Sequence, residues 1–300
     1  MRRLKRNWQG NDWQGNKSRK CLFPIPLPRI PLPIFWAFLF CLAVVFPFPT
    51  RAEEKSTWSR IVVIGASVSH GFTFAEPFDG PKTREYALHR YLDAAILAPH
   101  EQVRNLASAM FFMVPDDMGH TQIREALTNH PTLVIAIDFP FWFCYGVGAT
   151  DHERAEHLEK GLKMLEAVEC PLIIGDIPDA SAARNRALRP SEFPSAKARA
   201  AANLRLKEWT AQHKQVTLVP TAEFMRTVVA NEELTVHGHV FAAGTTRALL
   251  QGDRLHPSQR GCAALAVSIL DVFLAAHPNL KPAEVCWDAD EVLKAVESKR

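Results

Sequence analysis

The sequence has no internal repeat, and beyond its first 52 residues it has no excess of basic charge. Residues 1–52 carry nine Lys or Arg and a single acid, Asp12, which gives this segment a net charge of +8. Because the whole chain has a net charge of +3, the remaining residues carry −5. A mildly acidic body has no basic surface for nucleic acid, so nucleic acid is excluded as a partner.

Two further patterns are absent. None of the six cysteines forms a C-x-x-C pair, and the sequence does not define any disulfide pairing. Cys144 and Cys262 lie in apolar stretches typical of buried thiols. Gly65 and Gly71 are six residues apart, but Ser67 stands where the central glycine of a dinucleotide-binding turn would be. We therefore expect no nucleotide cofactor.

Metal-compatible residues occur in two places, and each has a simpler interpretation. Asp176 and Asp179 lie in Gly-Asp-Ile-Pro-Asp, a composition typical of turns. His237 and His239 flank a glycine and are typical of a loop. We expect no metal and no other cofactor.

The N-terminal segment has the features of an export signal. A basic region precedes an apolar run of about 13 residues over 34–46, which is short of the ~20 residues that a spanning helix needs. Small residues at Thr50 and Ala52 fit a cleavage site after Ala52. We expect residues 1–52 to be a signal peptide or a retained N-terminal membrane anchor. The body would then be exported, periplasmic or secreted, and would touch a membrane only through this segment.

The rest of the chain alternates short apolar runs with longer helical patterns. Strand-like runs cover 60–65, 102–106, 132–138, 171–175 and 216–220, and helix-like runs cover 83–97, 119–129, 151–168, 195–213 and 258–276. Such alternation predicts an α/β fold with a parallel sheet that helices cover on both faces. We interpret 53–280 as one domain and 281–300 as a C-terminal helical tail.

Three polar residues stand where predicted strands end. Ser67 follows the first strand, Asp138 ends the third and Asp176 follows the fourth. Ligands of open parallel sheets bind beyond the carboxyl ends of the strands. The sequence therefore predicts a site at this edge of the sheet.

Ser67, Asp253 and His256 have the residue types of a nucleophile, an orienting carboxylate and a general base. Asp253 precedes His256 by three residues and is close enough to bond one ring nitrogen, and Pro257 suits the first turn of the helix that follows. Each residue also has a structural interpretation, since a serine after a strand often caps a helix and most histidines of a chain are structural.

Two blocks make the pattern more specific. Residues 65–71, Gly-Ala-Ser-Val-Ser-His-Gly, resemble the nucleophile block Gly-Asp-Ser-Leu-Ser/Thr-x-Gly of the SGNH/GDSL hydrolases, a family of esterases and lipases. Residues 253–257, Asp-Arg-Leu-His-Pro, resemble the final Asp-x-x-His-Pro block of that family. The resemblance implies a three-layer α/β/α, flavodoxin-like fold and ester hydrolysis. It implies that Ser67 is the nucleophile, His256 the general base and Asp253 its orienter.

The chain departs from the family pattern at three positions. Ala66 replaces the acidic residue before the nucleophile, and Met110 falls near the place of an oxyanion-hole glycine that follows an asparagine, here Asn105. No asparagine occurs between residues 131 and 150, where the family contributes an oxyanion side chain, and Asp138 stands in that stretch instead. We expect backbone N–H groups of Ser67 and Met110 to bind the oxyanion. Loss of an oxyanion donor costs ~3–4 kcal/mol in hydrolases.

The aromatic residues after Asp138, including Trp142, line a substrate pocket or cover the core. Asn105, Asp138 and Trp142 are thus the candidate pocket residues, although Asp138 also fits a structural role as an acceptor of loop N–H groups. The sequence favours an exported serine esterase that acts on an acyl lipid, an acetylated carbohydrate or a small ester. The alternative is a non-catalytic binding or scaffold protein of the same fold with a degenerate oxyanion hole.

Overall fold

The computed structural model describes residues 56–76, 80–146 and 150–299. The predicted signal peptide or anchor over 1–52 lies outside the described residues. Near the start of the described residues, the Trp58 ring is fully buried and its indole N–H donates to Glu284 Oε2 at 2.9 Å.

Five parallel strands form the central sheet, in the order β2-β1-β3-β4-β5. They are β1 Ile61–Val63, β2 Arg104–Asn105, β3 Leu133–Ala136, β4 Leu172–Gly175 and β5 Val216–Val219. Val62 of β1 lies opposite both Arg104 and Val134, so β1 is an interior strand. This order is that of flavodoxin-like sheets. Every residue of β1, β3 and β4 is buried, as expected for strands covered on both faces. The predicted α/β fold with a central parallel sheet is confirmed.

Helices cover the sheet in two groups. The α-helices of the described residues are α1 Ser67–His70, α2 Leu88–Ala95, α3 Pro115–Thr128, α4 Phe141–Cys144, α5 Asp151–Leu165, α6 Ala196–Gln212, α7 Thr221–Ala230, α8 Gln259–Ala276 and α9 Ala289–Ser298. Short 3-10 helices lie at Thr83–Tyr86, Phe111–Met113, Ser181–Ala183, Pro190–Glu192, Thr246–Leu249 and Pro282–Glu284. Helices α2, α8 and α9 pack together, and α3, α5 and α6 form a second group. Because connections between parallel strands are almost always right-handed, this strand order is expected to place the two groups on opposite faces, as in a three-layer fold.

Local side chains explain where the long helices begin. Thr150 and Glu153 form a reciprocal capping box at the start of α5, with a Thr150 N to Glu153 Oε2 distance of 2.7 Å. Ser195 and Ser258 accept N–H bonds at the starts of α6 and α8. Helix α3 begins at Pro115, four residues before the predicted start, because proline suits a first helical turn.

Several elements were not predicted, among them the ten-residue helix α7 and a hairpin. The chain forms a two-stranded antiparallel hairpin from β6 Leu234–Val236 and β7 His239–Phe241. His237 and Gly238 make its turn, with φ of 43° and 82°. Two consecutive residues of positive φ are typical of the tight hairpin turns that match strand twist.

The last two helices are joined to the body by buried apolar side chains. Helix α9 lies in the segment interpreted as a C-terminal helical tail, and it packs on α2 and α8 through Val292 and Val296. Helix α8 has the length and apolar composition of a membrane-crossing helix, but most of it is buried inside the body. It is therefore a core helix. Its Cys262 is buried and unpaired, as is Cys144 of α4, in agreement with the expectation of buried thiols.

Candidate active site

The structure brings Ser67, His256 and Asp253 into one hydrogen-bonded chain. Ser67 Oγ lies 2.8 Å from His256 Nε2, although the two residues are 189 positions apart in the sequence. His256 Nδ1 lies 2.5 Å from Asp253 Oδ2. Because an ionised carboxylate only accepts, the proton of the imidazole sits on Nδ1, and Nε2 is left free to accept from the serine hydroxyl.

The loop before α8 holds Asp253 in place. Asp253 is fully buried, and its Oδ1 accepts the N–H groups of Leu255 and His256, each at 3.0 Å. Burial disfavours the charged carboxylate, but the bonds from the His256 ring and from the two backbone N–H groups outweigh it and lower the pKa of Asp253. Arg254 adopts a φ of 63°, which turns the chain tightly enough for these bonds to form.

Asp138 organises the nucleophile loop. Its Oδ1 accepts the N–H of Ala66 at 2.9 Å and the hydroxyl of Ser69 at 2.6 Å, and its Oδ2 accepts the N–H groups of Val68 and Ser69 at 2.8 and 3.1 Å. Gly65 permits this approach because a Cβ atom there would lie 2.2 Å from Asp138 Oδ1, and because its φ is +132°. The carboxylate is therefore built into the turn that carries Ser67.

Gln122, which the sequence reasoning missed, holds the same turn from the other side. This α3 side chain is buried and makes two bonds with the Gly65 backbone: Oε1 accepts the N–H at 2.8 Å, and Nε2 donates to the carbonyl at 2.9 Å. The Gly65 carbonyl also accepts the Ser108 N–H at 3.1 Å. A buried amide on a helix gives no local sequence signal, since only the fold reveals its partner.

Phe72 and Gln251 support the histidine and were also missed. The Phe72 ring packs on the imidazole of His256, with ring centroids 4.2 Å apart. Gln251 Nε2 donates to the carbonyls of Phe72 and Pro257, both at 2.8 Å, and Oε1 accepts the Phe74 N–H at 3.3 Å. These bonds tie the segment after α1 to the loop that carries His256.

The predicted oxyanion donors differ in what surrounds them. The N–H of Ser67 has no hydrogen-bond partner among the described residues, as expected at the first position of a helix. The N–H of Met110 instead donates to Ser108 Oγ at 3.2 Å, and the Met110 side chain is exposed. Within the 107–110 loop, Ala109 has the N–H that bonds to no described residue.

An apolar cavity of about 70 Å³ opens beside Ser67. Its walls include Trp142, Phe224, Met225 and Leu265. Of the candidate pocket residues, Asp138 and Trp142 line the cavity. Asn105 does not: its Oδ1 accepts the Ala107 N–H at 3.0 Å and so shapes the neighbouring loop.

Asp176, a third polar residue at this edge, also lines the cavity. Its Oδ1 accepts the Ala222 N–H at 2.6 Å and the Thr221 hydroxyl at 2.9 Å, so it caps α7. Burial raises the pKa of Asp176, and these bonds only partly oppose the shift. In the part of the chain that the structure describes, no group of three or more His, Cys, Asp or Glu side chains gathers as a metal site.

Solved structures similar to this chain include a lipase/acylhydrolase and a GDSL-like lipase. A lipase/acylhydrolase from Enterococcus faecalis matches with a TM-score of 0.50 and 20% identity, over 75% of this chain and 98% of that chain. A GDSL-like lipase from Bacteroides thetaiotaomicron matches with a TM-score of 0.45 and 12% identity, over 82% and 98%. The structure of TesA matches with a TM-score of 0.40 and 14% identity, over 73% and 99%.

At these identities the likeness establishes the fold, and the Enterococcus faecalis structure carries that conclusion. The chain shares its α/β fold with that lipase/acylhydrolase structure, in agreement with the fold that the resemblance of the two end blocks implies. No protein-family model matches the sequence, and no curated protein does.

Proposed function

We propose that this chain is a serine esterase in which Ser67 is the nucleophile, His256 the general base and Asp253 the orienting carboxylate. One observation carries the proposal: the 2.8 Å contact between Ser67 Oγ and His256 Nε2, with Asp253 on the other ring nitrogen. A serine that merely caps a helix needs no such partner. The relatives of this fold named as lipases and acylhydrolases agree with ester chemistry.

The chemistry follows from the two ring nitrogens. His256 Nε2 takes the hydroxyl proton while Ser67 Oγ bonds to the ester carbonyl carbon, and the resulting imidazolium is stabilised by Asp253. When the C–O bond to the alcohol breaks, His256 returns the proton to the leaving oxygen, and an acyl-enzyme remains. Water then attacks the acyl carbonyl carbon while His256 takes its proton. The proton returns to Ser67 Oγ as the acyl bond breaks, and the acid is released.

Backbone N–H groups would stabilise the oxyanion. Those of Ser67 and Ala109 have no partner among the described residues, whereas that of Met110 is engaged by Ser108. Backbone donors need no particular side chain, so such a hole tolerates the absent asparagine. Asp138, whose two oxygens accept four loop donors, acts in this scheme as a positioning residue for Ser67.

Labelling with a fluorophosphonate probe tests the catalytic proposal. The full-length protein should react with the probe and hydrolyse p-nitrophenyl esters, and Ser67→Ala should abolish both while circular dichroism shows an intact fold. Ser181→Ala, at an exposed serine outside the cavity, is the matched control and should label normally. A wild-type protein that neither labels nor cleaves an activated ester would favour the alternative of a non-catalytic binding or scaffold protein.

We also propose that the body is exported, with an acyl lipid, an acetylated carbohydrate or a small ester as substrate. The support is the basic and apolar pattern of residues 1–52. Fractionation of expressing cells followed by mass spectrometry of the native N-terminus tests this part. A mature chain that begins at Glu53, or an intact chain in the membrane fraction, agrees with the proposal. An intact chain in the cytoplasm overturns it.

A further inference from the structure

We infer that the acyl group accepted by this site is short and uncharged, from acetyl to butyryl. The inference rests on the proposed esterase function and names its substrate class. It is carried by the size of the cavity beside Ser67, by the residues that close it and by the charges that line it.

The cavity is small for an acyl chain. Its volume is about 70 Å³. A dry apolar cavity of about 150 Å³ accommodates benzene, which has six carbon atoms. By the same measure, this cavity accommodates about three carbon atoms, whereas sites for drug-sized ligands measure about 300 Å³ or more. A chain of eight carbons does not fit without rearrangement.

Three of the residues that line the cavity belong to the hydrophobic core. Ile137, Met225 and Leu265 are 4%, 9% and 6% exposed, so they pack against other side chains on the side away from the cavity. Protein cores are close-packed, and displacing such side chains to admit more methylene groups costs free energy. These three walls therefore resist the displacement that a longer acyl chain would need.

The charged residues that line the cavity restrict further which acyl groups the site accepts. Two carboxyl groups, those of Asp138 and Asp176, line the cavity, and no Lys, Arg or His side chain among the described residues does. An acyl group with its own carboxylate would enter an apolar space with no counter-charge and with like charges nearby. Both effects are unfavourable. Succinyl should therefore be rejected although it has the same number of chain carbons as butyryl.

The first experiment compares p-nitrophenyl esters of two, four, six, eight and ten carbons at fixed pH with the full-length protein. We expect kcat/KM to be greatest at two to four carbons and at least about tenfold lower at eight, because extra methylenes in a closed pocket commonly change kcat/KM by this factor each. A flat profile or an optimum at eight or ten carbons overturns the inference.

Pocket variants supply the second test. Met225→Ala and Phe224→Ala each remove part of the wall and should move the optimum to six or more carbons. Leu204→Ala, at a leucine that is 59% exposed and does not line the cavity, should leave the profile unchanged. Phe224 is only partly buried, so its variant keeps the test valid if Met225→Ala fails to fold. A folded variant with an unaltered profile contradicts the inference.

The third test isolates charge. A p-nitrophenyl hemisuccinate and the matching butyrate are compared, and the hemisuccinate should be cleaved at least about tenfold more slowly. Asp176→Asn removes a carboxylate from the cavity but retains an oxygen acceptor for Thr221 and Ala222. This variant should reduce the difference in cleavage rate between the hemisuccinate and the butyrate. Equal rates of cleavage of the two esters would show that the site does not discriminate against a charged acyl group.

The outcomes separate the inference from the function on which it rests. Cleavage and probe labelling with a long-chain or flat preference would retain the esterase and reject the short acyl class. Absence of labelling and of cleavage across the whole series rejects both.

Discussion

Ser69 Oγ donates a 2.6 Å hydrogen bond to Asp138 Oδ1, and through it the end of β3 is joined to the turn that carries the nucleophile. The same carboxylate accepts backbone N–H groups on both sides of Ser67. The acidic residue expected before the nucleophile is Ala66 here. The carboxylate that touches this turn comes instead from Asp138, a residue distant in sequence.

Asp138→Asn tests whether the Asp138 carboxylate holds the turn that carries Ser67 in place. The amide of asparagine has one acceptor oxygen, so its NH₂ group would face backbone or hydroxyl donors that now bind a carboxylate oxygen. We expect the free energy of unfolding to fall by about 1–3 kcal/mol, the cost of buried donors that lose a charged partner. Activity should fall modestly with it. Urea unfolding and kcat/KM for an acetyl ester measure the two effects.

The control is Asp117→Asn, at an exposed carboxylate in the first turn of α3, which should change stability by less than about 0.5 kcal/mol. Increased activity of Asp138→Asn with unchanged stability would instead indicate that Asp138 faces the reacting carbonyl, where a neutral amide donates to the oxyanion.

Asp253→Asn should disable the base with little change in fold. An asparagine NH₂ facing His256 Nδ1 favours the tautomer with its proton on Nε2, which cannot accept the proton of Ser67. A loss in kcat on the order of 10⁴ is the value expected of serine triads. Steady-state kinetics measure it, and Asp271→Asn, at the exposed carboxylate that pairs with His237 at 2.8 Å, should have normal kcat.

Phe72→Ala tests whether the ring beside His256 positions the imidazole. Removal of the ring frees the imidazole to tilt, and we expect kcat to fall by about tenfold or more because small misplacements of catalytic groups cost this much. KM should change little. Phe74→Ala, at a ring that is 53% exposed, is the control. An equal effect of both variants on KM and none on kcat would contradict a positioning role.

His89 should make stability depend on pH. Burial in α2, with a further contribution from Arg90, lowers the pKa of His89 to about 4, against a usual value of 6.5. Between these two values the unfolded chain binds the proton and the folded chain does not, so stability rises with pH through this window. The contribution lost on going from pH 7 to pH 5 is about 2 kcal/mol.

Urea unfolding at several pH values measures the slope of the free energy of unfolding against pH. His89→Gln should flatten it between pH 6.5 and 4, whatever its effect on absolute stability. His152→Gln, at a histidine whose side chain is 83% exposed, should retain the slope of the wild type. An identical slope for His89→Gln would show that other groups set the pH dependence.

The sequence alone determined the features that depend on short spacing. Continuous apolar runs at 60–65, 132–138 and 171–175 predicted the buried parallel strands, because side chains on both faces of such strands are covered. Asp253 and His256 are three residues apart, so their contact is local and was predictable. The place of Ser67 after β1 predicted its position at the carboxyl edge of the sheet.

Tertiary structure decided which distant groups meet. Gln122 lies 57 positions from Gly65, and only the packing of α3 against the sheet matches its amide to that backbone. The Met110 N–H donates to Ser108 only because of the conformation of one loop. The same conformation leaves the Ala109 N–H as the candidate oxyanion donor of that loop. The size of the cavity beside Ser67 depends on side chains from several separate elements. Periodicity encodes which face of an element is buried, but donors, acceptors and volumes are matched only once the sheet and its helices are assembled.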